Sequence, residues 1–404
     1  MLANAGEECN QVIASAHLLD RLPGRSASCV GMALSFVVAG RSAAGQARAG
    51  AITTSRNTIL TPCFMPVGTH AAVTAMTPAM LADHGAAILV CNAFRLFEKP
   101  GPAIARRYSS LHEFMAWPGT ILTDSGGFQV YRLASRKVSE QGVEFYTEER
   151  KQVFWTPEKA IEVQAILGGD FVMPLDVCVS LPASHGEADA AMTRTLRWAE
   201  RCQAAGLLGP RQTLFGIVQG AVYEDLRVRC IDGLVAMGFA GYAIGGLNVG
   251  ESAEEYRRTL AFTCPRLPDS APRYLMGVGR PEAMLDAVSA GVDLMDSIVP
   301  TKYAREGRLI TSRGTFNISK SRYAKDRFPV DPSCQCYTCQ NVTRGYLHHV
   351  YQTTRATAQM WAAIHNVAFC LRLMSQAREA ILADRFGEFH AEFRASYQTK
   401  GQAD

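Results

Sequence analysis

The sequence predicts an α/β fold, a (β/α)8 TIM barrel that carries a cysteine-rich insertion subdomain near its carboxyl end. Eight short apolar runs recur along the 404 residues, and most are followed by a helical pattern. Near-continuous apolar strands that alternate with amphipathic helices are typical of a parallel sheet covered by helices, and eight such units indicate a closed barrel. Three cysteines lie close together after the eighth run, in a segment with weak helical periodicity.

The eight runs define the predicted strands, and each closes on a polar or glycine-rich turn. Helix start signals lie between them at Thr77-Pro78, Thr156-Pro157, Ser252 and Pro281-Glu282. These positions suit helix starts because hydroxyl side chains cap helices and proline fits the first turn. In chain order the runs cover residues 61–69, 86–94, 120–128, 171–178, 213–221, 241–247, 273–279 and 292–300.

The chain divides into four predicted parts. Residues 1–31 lack periodicity and are interpreted as a disordered extension or as the product of an upstream start site. Residues 32–307 are predicted to form the barrel and 308–350 the insertion, while 351–404 supply the helices that complete the barrel wall.

Composition excludes several classes of protein. No run reaches the roughly 18 apolar residues that a membrane span needs, and the first residues carry two glutamates where a secretory signal carries positive charge. The net charge is only +4, so any contact with nucleic acid must come from a local patch. Most of the 12 cysteines stand singly in apolar segments, which indicates reduced thiols and a cytoplasmic protein.

Polar residues recur where the predicted strands end. Asp124 ends the third run, Asp176 the fourth, Gln219 the fifth and Asp296 the eighth, while glycines end the sixth and the seventh. In a (β/α)8 barrel these ends meet at one rim, where active sites lie. Any one of these residues could simply begin a loop or cap a helix. Together they favour a site with three carboxylates and an amide.

The polar groups at this rim suit a guanine ring. A carboxylate such as Asp176 can accept two adjacent N–H donors, and an amide such as Gln219, with a free backbone N–H at 245–246, can donate to a carbonyl oxygen. The glycine-rich turn at 124–127 lets backbone N–H groups approach a ligand. Phe128 and Met276 are expected to sandwich the flat base, although ordinary core packing is the alternative for both.

The C-x-C-x2-C spacing of Cys334, Cys336 and Cys339 predicts a metal site. Adjacent thiolates repel one another unless a cation neutralises them, and zinc takes four sulfur or nitrogen ligands in tetrahedral geometry. A histidine is expected to complete a closed, structural Cys3His site. The spacing leaves three candidates for this ligand, and one of them lies on the long helical stretch beyond the insertion. The candidates are His348, His349 and His365.

Six motifs resemble the tRNA-guanine transglycosylase family, and they occur in that family's order. They are LTDSGGFQV, FGIVQGAVYEDLR, GYAIGGLNVGE, YLMGVGRPE, DLMDSIVPTKYAREG, and CQCYTCQN with its downstream GYLHHV and IHN. The resemblance covers about Met32 to Tyr397. It implies a bacterial-type catalytic subunit, a pentosyltransferase that exchanges guanine at the wobble position of tRNAs with GUN anticodons for a 7-deazaguanine.

The resemblance implies roles for the matching residues. Asp296 matches the nucleophile, which attacks C1′ of the guanosine and forms a covalent RNA ester, and Asp124 matches the acid/base residue that takes a proton from the incoming base. The implied ligands of one structural zinc ion are Cys334, Cys336, Cys339 and His365. The implied base-binding residues are Ser125, Gly126, Gly127, Phe128, Asp176, Gln219, Gly246, Leu247 and Met276. The implied RNA-binding residues are Gly277, Val278, Gly279, Arg280, Pro281, Glu282, Ala283, Thr301, Lys302, Tyr303, Ala304 and Arg305.

The implied partners are tRNAs of the Asp, Asn, His and Tyr types, a 7-deazaguanine base and a second copy of the chain in a homodimer. Val249 and Cys178 resemble bacterial members, which take 7-aminomethyl-7-deazaguanine (preQ1). Residues 93–95 are Ala-Phe-Arg where the resembled family usually has Thr-Tyr-His, and this altered segment leaves queuine open. Lys302 replaces an arginine of the family and loses its bidentate fork, so readout of a base there is expected to be weaker. Lys302 and Arg305 are also expected to hold Asp296 ionised and to meet phosphates.

Three other classes of protein fit the residues less well. Two carboxylates on a barrel rim are also the signature of a retaining glycosidase, but these strand ends offer few aromatic platforms for a sugar. A non-catalytic RNA-binding partner subunit should lack the nucleophile, and Asp296 is present. A metal-dependent hydrolase is disfavoured, because no histidines stand at the predicted strand ends.

Overall fold

The barrel strands follow the eight predicted runs. A computed structural model describes residues 34–43, 45–133, 135–147 and 150–397, and the extension predicted at 1–31 lies outside these ranges. Parallel strands alternate with helices in chain order, which confirms the (β/α)8 fold. The barrel strands are Cys63–Pro66, Ile88–Asn92, Thr120–Asp124, Phe171–Val172, Thr213–Leu214 continued by Gly216–Val218, Tyr242–Ile244, Arg273–Leu275 and Leu294–Ser297.

Backbone pairing closes these strands into a ring. The eighth strand pairs in parallel with the first. The first and second strands meet at a parallel bridge between Val67 and Val90. Phe215, at the break in the fifth strand, donates its N–H to the carbonyl of Val172 over 3.0 Å and so joins the fifth strand to the fourth. The carboxyl ends of all eight strands therefore open on one side of the barrel.

The outer helices begin where the cap signals predict. Thr77, Thr156 and Ser252 each accept a hydrogen bond from a backbone N–H of the first turn. These bonds satisfy amides that a helix start otherwise leaves without a partner. The helices of the barrel and its loops are Pro78–Asp83, Ala93–Glu98, Pro102–Ala105, Leu111–Met115, Gly127–Tyr131, Pro157–Leu167, His185–Ala204, Glu224–Met237, Ala253–Thr263, Pro281–Ser289 and Val299–Arg305.

A three-stranded antiparallel sheet covers the amino end of the barrel, within the range 32–307 that was predicted as barrel alone. Ile52 and Ile59 are fully buried in the same apolar cluster as the side chains inside the barrel. Asn57 donates from Nδ2 to the carbonyl of Ala87, just before the second barrel strand, over 2.8 Å. The amino end is thus filled with apolar side chains. The strands of this sheet are Leu34–Arg41, Arg48–Thr54 and Thr58–Thr61.

A second antiparallel sheet, also missed from the sequence, supports the turn after the third barrel strand. Trp155 donates from Nε1 to the carbonyl of Ser125 over 3.1 Å. The rings of Phe145 and Trp155 pack edge-on against Phe94, at 5.2 and 5.7 Å between centroids. The turn that begins at Ser125 is therefore held from behind by aromatic packing. The strands of this sheet are Lys137–Val138, Val143–Tyr146 and Gln152–Trp155.

The chain after the eighth strand forms a hairpin, short helices and one long helix. Asn366, on the long helix, accepts the N–H of Ile310 over 2.9 Å and donates to the carbonyls of Pro300 and Arg308 over 3.0 Å each. One buried amide thus joins the long helix to the hairpin and to the last barrel helix. The elements are the strands Arg308–Thr311 and Gly314–Asn317 and the helices Tyr337–Asn341, Arg344–Thr353, Arg355–Leu382 and Phe386–Ser396.

The boundaries predicted at residue 308, between barrel and insertion, and at residue 351, between insertion and final helices, remain predictions. Within the described ranges, no helix is both long and apolar enough to cross a membrane.

Candidate active site

Asp296 lies near the carboxyl end of the eighth strand, with its side chain oriented by two hydrogen bonds. Its Oδ1 accepts from the hydroxyl of Tyr274 over 2.7 Å and from the backbone N–H of Gly277 over 2.8 Å. Burial raises the pKa of the Asp296 carboxyl above its usual range, while these two donors act against that rise. The second oxygen, Oδ2, receives neither of these bonds, so the two donors orient the carboxyl group through one oxygen only.

The expectation that Lys302 and Arg305 hold Asp296 ionised is wrong. Both cations are exposed on the helix Val299–Arg305. Among the described residues neither has a nitrogen within 4.0 Å of an oxygen of Asp296. The chain turns away into that helix directly after the eighth strand, so closeness in sequence does not bring the charges together. Tyr274 and Gly277 supply the stabilisation instead.

Asp124 ends the third strand and lies close enough to Asp296 and Asp176 for their negative charges to raise its pKa. Its Oδ2 accepts from Nδ2 of Asn92 and its Oδ1 from the N–H of Gly126, each over 3.0 Å. Burial, with a smaller contribution from the negative charges of Asp296 and Asp176, raises the pKa of Asp124 to about 7. A carboxyl that titrates near neutral pH is suited to both accepting and returning a proton.

Asp176 and Gln219, after the fourth and fifth strands, orient each other. Nε2 of Gln219 donates to Oδ2 of Asp176 over 2.7 Å. Burial raises the pKa of Asp176 to about 6. Gly246 lies against the same amide with φ +69°, and a Cβ at this position would approach Oε1 of Gln219 to 2.6 Å. Only glycine therefore lets the backbone at 245–246 lie this close to the amide.

The structure brings most of the predicted base-binding residues to this rim, with different exposures. Phe128 is 42% exposed, so its ring is available for stacking. Met276 is half-buried and packs against the apolar cluster inside the barrel, and Leu247 is buried. Ser125 is buried and accepts the N–H of Gly127 through Oγ over 3.3 Å, which shapes the turn.

The altered segment 93–95 supports the rim from behind. Asn92 caps the helix Ala93–Glu98 by accepting the N–H of Arg95 over 2.7 Å, and the same side chain donates to Asp124. Phe94 is fully buried, so its ring without a hydroxyl lies in the hydrophobic core. Arg95 forms an ion pair with Glu98 over 2.7 Å.

The predicted RNA-binding segments divide into exposed and buried residues. Gly277, Arg280, Lys302 and Arg305 are exposed, and the ring of Tyr303 lies 4.1 Å from the guanidinium carbon of Arg308. Glu282 and Ala283 are half-buried. Other members of the predicted set lie inside the protein, so the structure does not bring their side chains to the surface. The buried members are Val278, Gly279, Pro281, Thr301 and Ala304.

The cysteine cluster and one histidine form a group that can hold a metal ion. The potential ligand atoms of Cys334, Cys336, Cys339 and His365 all lie within 4.8 Å of one another. Nδ1 of His365 lies 3.2 Å from the sulfur of Cys339, and Nε2 lies 2.6 Å from the carbonyl of Ile310. A histidine whose Nε2–H is engaged by a carbonyl presents Nδ1 as the ligand. Three thiolates and one imidazole at these separations fit a tetrahedral zinc ion.

Two residues of the site were missed from the sequence. Tyr274 lies two positions before Met276 and reaches Asp296, and Asn92 reaches Asp124. Alternation along the seventh strand could have indicated that Tyr274 points into the barrel. Asn92 ends the second barrel strand, so the rule that singled out Asp124 and Gln219 could have placed it at the rim, although not against Asp124, which lies 32 residues away.

Comparisons with known proteins identify the family. A family model described as Queuine tRNA-ribosyltransferase matches residues 43–399. Curated proteins named queuine tRNA-ribosyltransferase are similar over nearly their whole length. One from Vibrio campbellii is 45% identical over 361 residues, covering 89% of this chain and 95% of the relative. One from Caldanaerobacter subterraneus is 45% identical over 367 residues, covering 90% and 98%. The chain therefore belongs to the queuine tRNA-ribosyltransferase family, which confirms the predicted pentosyltransferase.

Proposed function

We propose that this chain exchanges guanine at the anticodon wobble position of GUN-anticodon tRNAs for a 7-deazaguanine, through a covalent bond between Asp296 and the ribose. The observation that carries the proposal is the arrangement of Asp296. One oxygen of Asp296 accepts hydrogen bonds from Tyr274 and Gly277. Asp124 lies near enough for the negative charges of the two carboxylates to interact. Family membership supports the tRNA and base substrates.

The exchange proceeds in two displacements at the same sugar carbon. Oδ2 of Asp296 attacks C1′, the bond from C1′ to N9 breaks, and its electron pair leaves with guanine, which takes up a proton from the solvent. The incoming base then gives a proton to the Asp124 carboxylate, and its freed electron pair displaces Asp296 from C1′. Two displacements retain the sugar configuration and leave the phosphate backbone intact.

Recognition of the base uses groups whose positions agree with the chemistry of guanine. Asp176 accepts from N1–H and the exocyclic amine, while Gln219 and the N–H of Gly246 donate to O6. The exposed ring of Phe128 and the thioether of Met276 enclose the faces of the base. Gln219 must exchange its bond to Asp176 for one to the base, and this exchange leaves no buried polar group without a partner.

The proposal also covers the metal, the incoming base, the RNA substrate, the oligomeric state and the compartment. The metal is one structural zinc ion at Cys334, Cys336, Cys339 and His365. The incoming base is preQ1, with queuine as the alternative. The RNA is tRNA of the Asp, Asn, His and Tyr types, bound in part by exposed Arg280, Lys302 and Arg305, and the enzyme acts as a homodimer in the cytoplasm.

A base-exchange assay tests the substrate assignment. Radiolabelled guanine is incubated with the enzyme and a tRNA transcript that carries GUN in its anticodon, and the matched control is the same transcript with adenosine at the wobble position. Label is expected in the first transcript and not in the second. A separate chase with preQ1 and with queuine identifies the incoming base as the one that displaces the label. Equal labelling of both transcripts would contradict the wobble assignment, and failure of both bases to displace label would contradict the deazaguanine assignment.

The rate of exchange is expected to rise with pH through about 7. Because the pKa of Asp124 is raised to about 7, the carboxylate that accepts the proton is lost as pH falls through that value. The measurement is kcat/KM for guanine exchange between pH 5.5 and 8.5, with Asp124→Asn as the control that should be slow at every pH. A flat profile for the wild-type enzyme across this range would show that Asp124 is not the proton acceptor.

A further inference from the structure

Arg227 is a buried cation that the mechanism above does not use. It lies on the helix Glu224–Met237, which follows the fifth barrel strand, and its side chain is fully buried. Among the described residues no carboxylate oxygen lies within 4.0 Å of its guanidinium nitrogens. Burial lowers the pKa of Arg227 to about 10, so the side chain remains charged at neutral pH. An unpaired cation inside a protein is costly, and it persists only where its hydrogen bonds are satisfied.

Every hydrogen bond of this guanidinium ends on a backbone carbonyl at the rim. Nε and Nη2 donate to the carbonyl of Ala221 over 2.9 and 2.8 Å, and Nη2 also donates to that of Gly245 over 2.9 Å. Nη1 lies 3.4 Å from the carbonyl of Val218. These carbonyls flank Gln219 on both sides and immediately precede Gly246. Arg227 thus connects the ends of the fifth and sixth strands at the two donors proposed for O6 of the base.

The backbone held by Arg227 is strained. Ala221 has φ +51°, a left-handed conformation that costs a residue with a side chain on the order of 1 kcal/mol or more. At the neighbouring Gly220, a Cβ would meet the backbone nitrogen of Arg227 at 2.9 Å. The two donor bonds to the Ala221 carbonyl hold this turn in place. Arg227 therefore supports the backbone around Gln219, whose side chain also donates to Asp176.

The contact to Gly245 has an electronic consequence. The carbonyl of Gly245 and the N–H of Gly246 belong to one peptide group, in which electron density is delocalised. A cation bound to the carbonyl oxygen draws density from the nitrogen and makes the N–H a stronger donor, as in cooperative chains of hydrogen bonds. When the bond from C1′ to N9 breaks, the electron pair moves into guanine and part of the negative charge reaches O6. A donor aimed at this charge stabilises the transition state more than the ground state.

We propose that Arg227 is a positioning residue for base exchange, which prepares Gly246 N–H and Gln219 to stabilise the charge that develops on O6 of guanine. The inference rests on the proposed function. It extends that function because Arg227, a residue outside the binding pocket, would determine how strongly Gly246 N–H and Gln219 bind O6.

The test compares Arg227→Met and Arg227→Lys with the wild-type enzyme in the guanine-exchange assay. Arg227→Met is expected to lower kcat about 100-fold, the order seen when one preorganised donor is lost, while KM for tRNA stays unchanged. Arg227→Lys keeps the charge but loses the bidentate fork, so an intermediate loss of about 10-fold is expected. The matched control is Arg378→Met, which is expected to keep the wild-type kcat, because Arg378 also donates to two backbone carbonyls, those of Gly50 and Thr61, but at the amino end of the barrel.

A competition measurement separates positioning from general loss of stability. Guanine and 2-aminopurine, which lacks O6 and the hydrogen on N1, are compared as inhibitors of exchange, each base with the variant against the wild-type enzyme. Arg227→Met is expected to weaken inhibition by guanine about tenfold and to leave inhibition by 2-aminopurine unchanged. If the methionine variant does not fold, the lysine variant decides the matter by the same comparison. Equal losses for both bases, or wild-type kcat in a folded variant, would overturn the inference, whereas absence of exchange by the wild-type enzyme would refute the proposed function itself.

Discussion

Asp296→Asn is expected to eliminate the covalent adduct with RNA and to slow guanine exchange by roughly 10⁴-fold or more. The amide has nearly the shape of the carboxylate, and its oxygen can still accept from Tyr274 and Gly277. Its nitrogen, however, is not a nucleophile, so the ester to C1′ cannot form. The measurement uses a radiolabelled anticodon stem–loop and a denaturing gel, on which the adduct migrates with the protein, together with the rate of guanine incorporation.

Two variants serve as controls for this result. Asp232→Asn makes the same chemical change at an exposed position on the helix Glu224–Met237 and should leave adduct and rate unchanged. Tyr274→Phe removes one of the two donors to Oδ1 and is expected to retain the adduct with a rate about tenfold lower. An adduct that persists in Asp296→Asn would assign the nucleophile to another carboxylate, and Asp124 would be the first to examine.

The fold and the outline of the site could be predicted because both depend on local patterns. Each barrel strand is a short apolar run, and each of the three carboxylates and Gln219 stands at or just beyond the end of one. Strands of a parallel barrel share one direction, so residues at their ends must converge whatever the details of packing. The three cysteines of the candidate metal site were predictable for a similar reason, since three cysteines within six residues have few arrangements available, whereas their spacing left His348, His349 and His365 as candidates for the fourth ligand.

Contacts between distant residues could not be predicted in the same way. Asn92 caps a helix and also donates to Asp124, and its place at the end of the second strand predicts a position on the rim but not this partner, which lies 32 residues away. The sheet at Lys137–Trp155 consists of strands of two to four residues, too short for alternation to be recognised. Its importance for the Ser125 turn depends on a hydrogen bond from Trp155 that spans 30 residues.

The error over Lys302 and Arg305 has a physical cause. Separations of six and nine residues in sequence do not bring these two side chains near Asp296 in space. A strand that ends at Ser297 and a helix that begins at Val299 direct those residues away from the carboxylate. An exposed cation more than a few ångströms away is screened by water, whereas a hydroxyl and an amide in direct contact are not. A buried carboxylate of this kind is held by short hydrogen bonds rather than by cations that lie close to it only in sequence.

Removal of the metal is expected to destabilise the protein by several kcal/mol and to lower Tm by about 10 °C or more. The metal would join the loop at Cys334–Cys339 to the long helix through His365, whose Nε2 also contacts the carbonyl of Ile310 in the hairpin. The same long helix holds the last barrel helix through Asn366, and that helix directly follows the strand that bears Asp296. Loss of the metal should therefore loosen the active-site rim as well as the insertion.

The variant that tests this link is Cys339→Ser, measured for bound zinc, Tm and guanine exchange. Zinc content and Tm are expected to fall together, and the lost exchange activity should follow the fraction unfolded. The matched control is Cys370→Ala, since Cys370 is fully buried on the same long helix but lies outside the metal cluster. It should lose some stability through the cavity that it creates, yet keep its zinc. Full zinc binding by Cys339→Ser, or a Tm of the wild-type protein that does not change when a chelator strips the metal, would show that the cluster does not join the insertion to the helix.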